Sequence, residues 1–327
     1  MTELIHLDYK QGIPLVGLLQ IGVIDRGSTM LQVRATTCCN MRCTFCSTSA
    51  NSLELHGCNF EADLEYLLAW VKEVIRLKND TVTEINLDSV GEPSAYPKIV
   101  ELIQELKKLP TIQWISMQCN GTLLTEALIK KLEGAGLKRL NLSMHALMPE
   151  QAQYLFGSKG YNLDRVLAAA RIVAQSSIEL NLTPVYLPGI NDEQIPELIK
   201  LSKELKCRIS IQKYEEYRFS LKEKKAKPTN WYKFYRKLEE WEKEYGVKLK
   251  LGPTDFNVHR SKKIPLLFQE NELVAGVVLA PGWLPHEAIL AAKDRAITVV
   301  HCDKKIGQTI KAKIIETKNS IYLAKEV

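Results

Sequence analysis

The sequence predicts an α/β fold: an open, six-unit (β/α)6 partial barrel followed by a small C-terminal β-barrel-like domain. Two observations support this prediction. From Met30 onward, short apolar or β-branched runs alternate six times with segments of helical apolar spacing, whereas a complete barrel needs eight such units. After Gly252 the pattern changes to short β-rich runs that glycine and asparagine interrupt.

The alternating region contains six predicted strands, each followed by a predicted helix. The strands are Met30–Ala35, Thr83–Leu87, Trp114–Gln118, Arg139–Ser143, Ile178–Val185 and Arg208–Gln212. The helices are Leu64–Leu77, Ile99–Leu106, Glu126–Glu133, Leu163–Ala174, a helix through Ile195–Leu205, and Trp231–Tyr245. Right-handed crossovers make such strands parallel and bring their C-terminal ends to one edge, where barrels of this kind place active sites.

The C-terminal region is predicted to form mostly strands. These are Leu273–Leu279, Ala296–Val300, Gln308–Ile315 and Ile321–Ala324, with a helical pattern around His286–Ala292. We therefore expect three parts: an N-terminal extension at 1–29, the partial barrel at 30–250 and the small β-rich domain at 264–327.

Composition indicates an ordinary globular chain of 327 residues, with 46% hydrophobic and 25% charged residues. No apolar run approaches the roughly 18 residues of a membrane span. The first ten residues lack a basic-then-apolar signal pattern, and eight cysteines without such a segment favour a reducing cytoplasm.

Charge is distributed unevenly along the chain. Residues 221–327 contain 21 Lys and Arg against 13 Asp and Glu, a net charge of +8, whereas residues 1–220 have a net charge of −2. A basic C-terminal third indicates either a polyanion partner or a solvated, lysine-rich surface.

Three cysteines form the most specific pattern in the chain. Cys39, Cys43 and Cys46 stand in a C-x3-C-x2-C spacing, and Cys58 follows twelve residues later. Three thiolates hold three irons of a [4Fe–4S] cluster and leave one iron open to a small molecule. Zinc sites usually pair cysteines in two separated knuckles, and a disulfide is the structural alternative.

At these cysteines the chain resembles the radical S-adenosylmethionine (SAM) superfamily, whose signature has this spacing and an aromatic residue at the position of Phe45. The resemblance implies a six-unit partial TIM barrel and a [4Fe–4S] cluster whose open iron chelates SAM. Reductive cleavage of SAM then yields a 5′-deoxyadenosyl radical that abstracts hydrogen from a substrate. It also implies an electron donor of the flavodoxin or ferredoxin type.

The same resemblance assigns SAM-binding residues at strand ends. Gly91, Glu92 and Pro93 match the family's Gly-Gly-Glu-Pro motif, with Val90 in place of the first glycine, and imply a site for the SAM amino group. Phe45, Asn120 and Ser143 are the other implied cofactor contacts. Gly91 to Pro93 also suit a helix-entry turn, and an Asn-Gly pair such as Asn120-Gly121 is also a turn signal.

Two residues near this edge are candidate catalytic groups. Cys119 ends the third predicted strand, where it is a candidate hydrogen-atom donor or methyl carrier, although buried inert thiols are common. His145 follows the fourth strand, where it either touches substrate or serves as a structural histidine.

The segment Ile306–Ile314 resembles the closing strands of TRAM domains, OB-like RNA-binding modules of several transfer-RNA-modifying enzymes. Under that resemblance the candidate RNA-binding residues are Lys304, Lys305, Lys311 and Lys313; the alternative is a structural barrel without a ligand.

Two substrate hypotheses follow. The first is a radical SAM enzyme that modifies a tRNA or rRNA nucleotide, supported by the basic C-terminal third and by aromatic and basic residues interleaved around Trp231–Arg236. The alternative is a radical SAM enzyme that acts on a small metabolite or peptide, or that activates a partner enzyme.

Overall fold

The computed structural model describes residues 3–52 and 54–327. Its strands are β1 (Glu3–Leu7), β2 (Gly22–Asp25), β3 (Met30–Arg34), β4 (Cys58–Ala62), β5 (Glu84–Leu87), β6 (Trp114–Cys119), β7 (Arg139–Leu142), β8 (Glu179–Leu182), β9 (Val185–Tyr186), β10 (Arg208–Ile209), β11 (Gln212–Lys213), β12 (Leu273–Pro281), β13 (Glu287–Ala292), β14 (Arg295–Val300), β15 (Thr309–Glu316) and β16 (Leu323–Glu326). Its helices are α1 (Leu64–Leu77), α2 (Ile99–Lys107), α3 (Glu126–Ala135), α4 (Pro149–Leu155), α5 (Leu163–Gln175), α6 (Gln194–Glu204) and α7 (Trp231–Tyr245). In this described part of the chain, none of the helices has the length and apolar character that a bilayer crossing requires.

The fold class is the one that the sequence predicts, a mixed α/β chain with a parallel-sheet core and a closed five-stranded barrel near its C-terminal end. The first four predicted strands match β3, β5, β6 and β7 to within one residue. The fifth and sixth are each interrupted, appearing as β8 with β9 and as β10 with β11. Pro184 lies at the first interruption, where its missing N–H cannot contribute to a ladder.

Contacts group the chain into two compact units. The first contains the residues up to Cys38 together with Asn51–Gln113 and Val258–Val327, and the second contains Cys39–Ala50 and Trp114–Asn257. The domain boundaries expected at 1–29, 30–250 and 264–327 stay a prediction.

The second unit is built on four parallel strands in the order β10, β8, β7, β6. Its helices turn apolar stripes toward the sheet, as α3 does with buried Ile129 and Leu132. The Thr125 hydroxyl accepts a hydrogen bond from Leu128 N–H at 3.1 Å and so caps α3. Gly136, at φ 109°, ends the helix in a left-handed conformation that glycine adopts without a steric penalty.

In the first unit, β3 pairs with β2 in antiparallel and with β5 in parallel register, and β1 pairs in parallel with β4. The N-terminal segment also reaches the C-terminal barrel, because Val16 O accepts from Ala296 N–H and Gly17 O accepts from Tyr322 N–H. A Cβ on Gly17 would lie 2.0 Å from Ala296 O, so this approach requires glycine.

The C-terminal barrel is closed in the order β12, β13, β14, β16, β15, and its one parallel pair joins β14 to β16. A small barrel is therefore present, although its identity as a TRAM domain is not shown. The helical pattern around His286–Ala292 is wrong, because this segment is β13. Pairing on both edges and the burial of Ala288, Ile289 and Leu290 outweigh the local helix propensity.

A buried ion pair ties three segments of the first unit together. Lys78 Nζ lies 2.8 Å from Asp25 Oδ1, and both side chains are fully buried. Asp25 Oδ2 accepts from Ile264 N–H at 2.8 Å, and Lys78 also donates to the carbonyl of Lys262. Both charges are thus hydrogen-bonded where water cannot replace a missing partner.

We expect Lys78→Ala to lower the free energy of unfolding by about 3–5 kcal/mol, because it leaves the Asp25 carboxylate buried without its counter-ion. The measurement is urea denaturation followed by circular dichroism. Arg76→Ala, which breaks an exposed pair with Glu73, is the matched control and should leave the midpoint nearly unchanged. Equal midpoints for the two variants would contradict this account.

Candidate active site

The three cysteines of the C-x3-C-x2-C pattern lie on one loop, half-buried, and all eight cysteines of the chain are thiols. The loop turns tightly, since Cys46 N–H donates to the Cys43 carbonyl at 3.1 Å. By contrast, Cys58 is buried, and this burial raises its pKa to about 11, as expected of an inert thiol. The loop therefore carries three cysteines within eight residues, and the last two flank one tight turn.

Backbone contacts with the end of α4 fix the shape of this loop. Arg42 N–H donates to Phe156 O at 3.1 Å, and Thr44 N–H donates to Leu155 O at 3.0 Å. Gly157, at φ +60°, allows the close approach, because a Cβ there would lie 1.9 Å from Arg42 O. These backbone contacts fix the loop against the end of α4.

Asn120, predicted as a SAM contact, ties the cysteine loop to the end of β6. Its Nδ2 donates to Asn40 Oδ1 at 2.8 Å, and its Oδ1 accepts from Thr122 N–H at 2.9 Å. Asn40 Nδ2 donates to the Thr122 hydroxyl at 2.7 Å. Asn40 stands between Cys39 and Cys43, so the amide pair positions the loop; a direct contact of Asn120 with SAM stays a prediction.

Phe45 and His145 form an aromatic contact beside the cysteines. The rings meet edge to face, with centroids 4.8 Å apart at 82°. His145 Nδ1 accepts from Val185 N–H at 3.1 Å, and burial lowers the His145 pKa to about 3. The imidazole is therefore neutral and serves as a packing support for Phe45. Its contact with substrate and the contact of Phe45 with SAM stay predictions.

Polar side chains link the C-terminal ends of three strands in the second unit. Gln118 Nε2 donates at 2.9 Å to both the Ser143 and the Thr183 hydroxyls. Ser143, a predicted cofactor contact, is half-buried here. Because buried polar groups need partners, this chain of bonds stabilises a polar lining at the strand ends of the second unit.

A second polar row, which the sequence reading missed, lies one step deeper in the same strands. Asn181 Nδ2 donates to Asn141 Oδ1 at 2.8 Å, and Asn181 Oδ1 accepts from the Ser210 hydroxyl at 2.9 Å. A signal was present: the runs Leu140–Ser143 and Leu180–Thr183 both read Leu-Asn-Leu followed by a hydroxyl residue. Asparagine inside an otherwise apolar parallel strand indicates a side that faces a polar cavity.

The predicted Gly91, Glu92 and Pro93 follow β5 in the first unit. A Cβ on Gly91 would lie 2.3 Å from Cys38 O, so only glycine permits this approach, and Glu92 N–H donates to the same carbonyl at 2.8 Å. The buried Glu92 carboxylate caps the 3₁₀ turn Pro93–Ala95 by accepting from Ser94 N–H at 3.0 Å. The helix-entry reading thus holds for these residues, and binding of the SAM amino group stays a prediction.

An ion pair at the end of β5 was also missed. Arg34 Nε lies 2.7 Å from Asp88 Oδ1, with both side chains largely buried, and Gln32 Nε2 donates to Asp88 Oδ2 at 3.0 Å. Asp88 ends the run Ile85–Asp88, which repeats the apolar-Asn-Leu-polar pattern of the second unit. The first unit therefore carries its own polar row at a strand end.

The remaining predicted residues have distinct surroundings. Cys119 is buried at the end of β6, which suits a packed thiol, and its redox or methyl-carrier role stays a prediction. Lys305 and Lys311 are exposed on the barrel and Lys313 is half-buried. Lys304 lies 3.6 Å from Glu326. Their contact with RNA stays a prediction.

Comparison with known proteins identifies the family. A model described as the radical SAM superfamily matches residues 33–202. The chain belongs to this superfamily. An uncharacterized protein of Methanocaldococcus jannaschii is 35% identical, with 97% of this chain and 80% of that protein aligned. The GTP 3′,8-cyclase of Cyanothece sp. is 31% identical over 57% of this chain and 53% of its own length.

Solved structures show the same fold. Streptococcus suis SuiB bound to S-adenosylmethionine superimposes with a TM-score of 0.53 at 21% identity, covering 76% of this chain and 51% of SuiB. TYW1 with a lysine–pyruvate adduct bound superimposes with a TM-score of 0.50 at 17% identity, covering 71% and 78% of the two chains. This chain thus spans about half the length of the cyclase and of SuiB.

The chain is therefore a radical SAM enzyme, and enzymes of this superfamily use a [4Fe–4S] cluster and SAM, which is cleaved reductively when both are bound. The residues of the second unit fit such a cluster. Tyr161 is 1% exposed, and its hydroxyl has no hydrogen-bond partner among the described residues. Burial raises the Tyr161 pKa, and electrostatic interaction with Cys43 and Cys119 raises it further, so Tyr161 lies near both cysteines. A buried hydroxyl donor near two cysteines suits a sulfur-rich cofactor.

Within residues 3–52 and 54–327, no three Cys, His, Asp or Glu side chains converge on one metal ion. A four-iron cluster does not require such convergence, because each cysteine thiolate binds a different iron.

We expect Cys43→Ala to prevent assembly of the complete cluster and to abolish SAM cleavage, because it removes one of three proposed iron ligands. Iron and sulfide are measured after anaerobic reconstitution, with 5′-deoxyadenosine quantified after reduction. Cys207→Ala is the matched control, since burial raises the Cys207 pKa to about 12 and makes it a poor ligand. Retention of 5′-deoxyadenosine formation by Cys43→Ala, or its loss in Cys207→Ala, would refute the assignment.

The neutral His145 has a consequence for acid stability. The unfolded chain takes up a proton at this residue near pH 6.5, whereas the native state resists protonation until about pH 3, so stability falls as the pH drops between these values. Between pH 7.5 and 5.5 the wild type should lose about 1.4 kcal/mol more than His145→Gln. Urea denaturation at both pH values measures the difference, and parallel losses in the two proteins would contradict it.

Proposed function

We propose that this enzyme modifies a nucleotide of an RNA. One observation carries the proposal: α7 exposes three aromatic side chains among basic residues, in the same compact unit as the cysteine loop. Trp231, Tyr232 and Tyr235 are 52%, 69% and 44% exposed. Aromatic faces beside cations suit the stacking of unpaired bases and contact with phosphates.

The exposed rings are not by-products of packing the helix. α7 already buries an apolar stripe at Phe234, Leu238 and Trp241, so Trp231 and Tyr235 are surplus to that face. Their rings stack with centroids 5.7 Å apart at 28°, and Lys213 Nζ lies 5.1 Å from the Trp231 ring. Lys213 ends β11, so the aromatic surface begins at a strand end, where this fold type places its active site.

The C-terminal barrel supports the same proposal through charge and topology. Lys311 and Lys313 alternate with buried Ile310 and Ala312 along β15, so the two lysines share its outer face. The closed order of five strands, with the third and fifth paired in parallel, is compatible with the OB-like module that the sequence suggests. The positive charge of this face adds electrostatic attraction to a phosphate backbone.

A second candidate substrate is a free purine nucleotide. The observation that favours it is the similarity to GTP 3′,8-cyclases, which extends over 57% of this chain in the cyanobacterial example. A small nucleotide needs neither the exposed aromatic surface of α7 nor a basic outer face on the barrel. The two candidates therefore differ in whether the α7 surface and the outer face of the barrel contribute to substrate binding.

We expect the double variant Trp231→Ala/Tyr235→Ala to bind bulk tRNA or rRNA fragments at least tenfold more weakly, since each stacked base contributes about 1–3 kcal/mol. Fluorescence anisotropy measures the affinity at several salt concentrations, and the wild-type affinity should fall steeply with salt. Tyr9→Ala, which removes an exposed ring from the first unit, is the matched control.

Mass spectrometry then tests the chemistry. RNA from a strain that lacks the gene should lose one modified nucleoside and recover it with the wild-type gene. Unchanged RNA nucleosides together with consumption of GTP by the reconstituted enzyme would favour the second candidate and overturn the first.

A further inference from the structure

A basic cavity lies directly beside the cysteine loop and takes no part in the functions described above. Its volume is about 450 Å³, and the segment Leu221–Lys225 forms one wall. Arg42 and Thr44 of the cysteine loop and Tyr154 of α4 form the rest, with Gly157.

The accessible charge in this cavity is positive. Four of its nine lining residues are cationic: Arg42, Lys222, Lys224 and Lys225. The single carboxylate, Glu223, is buried and accepts hydrogen bonds from the Tyr154 hydroxyl at 2.8 Å and from Lys225 N–H at 3.1 Å. Although burial raises the Glu223 pKa, these bonds outweigh it and the pKa is lowered. Glu223 thus holds the segment in place while the cations face outward.

The cavity wall is bonded to the cysteine loop itself. Leu221 N–H donates to the carbonyl of Cys46 at 2.9 Å, and the Ser49 hydroxyl donates to Phe219 O at 2.8 Å. Arg42 precedes Cys43 in the chain. A molecule that contacts Leu221 is therefore linked to Cys46 through one hydrogen bond. A molecule that contacts Arg42 is linked to Cys43 through the covalent bonds of the backbone.

The chemistry of the cavity differs from that of the α7 surface. Tyr154 is the aromatic residue in its lining, and its hydroxyl donates to the buried Glu223 carboxylate, whereas α7 exposes three rings. Four cations beside a single aromatic ring suit carboxylates more than a run of unpaired bases. Short-lived electron-transfer complexes depend on such charged surfaces, which steer partners together at high rates.

We propose that this cavity is the docking site for an acidic one-electron carrier protein of the flavodoxin or ferredoxin type, with a carboxylate of the carrier seated against Arg42. The carrier loses one electron, the cluster gains one, and no covalent bond forms or breaks. The inference depends on the membership of the superfamily and is independent of the proposed RNA substrate.

The test compares two reductants on the reconstituted holoenzyme. Lys222→Glu/Lys224→Glu should slow reduction of the cluster by a fully reduced flavodoxin at least tenfold at low salt, measured in a stopped-flow spectrometer as loss of the visible absorbance of the cluster. Its reduction by dithionite, which does not require docking, should match the wild type. The wild-type rate with flavodoxin should fall as salt rises.

Lys131→Glu/Lys138→Glu is the matched control, because it makes the same charge change at exposed residues of the second unit away from the cavity lining. It should retain the wild-type flavodoxin rate. An unchanged rate in the cavity variant, or an equal loss in the control, would overturn the proposal. Weaker RNA binding by the cavity variant with a normal flavodoxin rate would assign the cavity to RNA phosphates instead.

Discussion

The structure depends on one constraint at the cysteine loop: backbone and amide hydrogen bonds must hold its shape before any cofactor binds. Backbone N–H groups of Arg42 and Thr44 bond to the end of α4, and the Asn40–Asn120 amide pair bonds the loop to the end of β6. Gly157 provides the space for this approach.

The polar interior of the sheet follows from the same need. A parallel sheet covered on both faces normally contains apolar residues, and an isolated asparagine there would be costly. Here Asn141, Asn181 and Ser210 satisfy one another, as do Gln118, Ser143 and Thr183 nearer the strand ends. Mutual hydrogen bonds fix these side chains before a ligand binds. The entropic cost of ordering them on binding is therefore smaller.

Sequence reasoning succeeded where a feature is local and failed where it depends on distant partners. Strand positions and the cysteine spacing are local, and β3, β5, β6 and β7 lie within one residue of their predicted bounds. The segment of β13 was predicted as a helix because its local pattern is helical. Its pairing with β12 and β14 forms only when the barrel closes. The polar rows were missed because each asparagine is interpretable only beside its partner on the next strand, although the repeated Leu-Asn-Leu run was visible.

The excess positive charge of the C-terminal third is concentrated in residues 221–250. Residues 221–250 contain ten Lys and Arg against five Asp and Glu, whereas residues 251–327 contain eleven against eight. The larger net charge therefore lies on the cavity segment and α7, in the same compact unit as the cysteines, and not on the barrel. Within that short stretch the cations fall into two kinds of surroundings. On α7 they stand among three exposed rings, whereas the cavity lining contains a single aromatic ring. The positive charge of this stretch is thus shared between the exposed face of α7 and the cavity. The two surfaces differ in chemistry and therefore favour different partners.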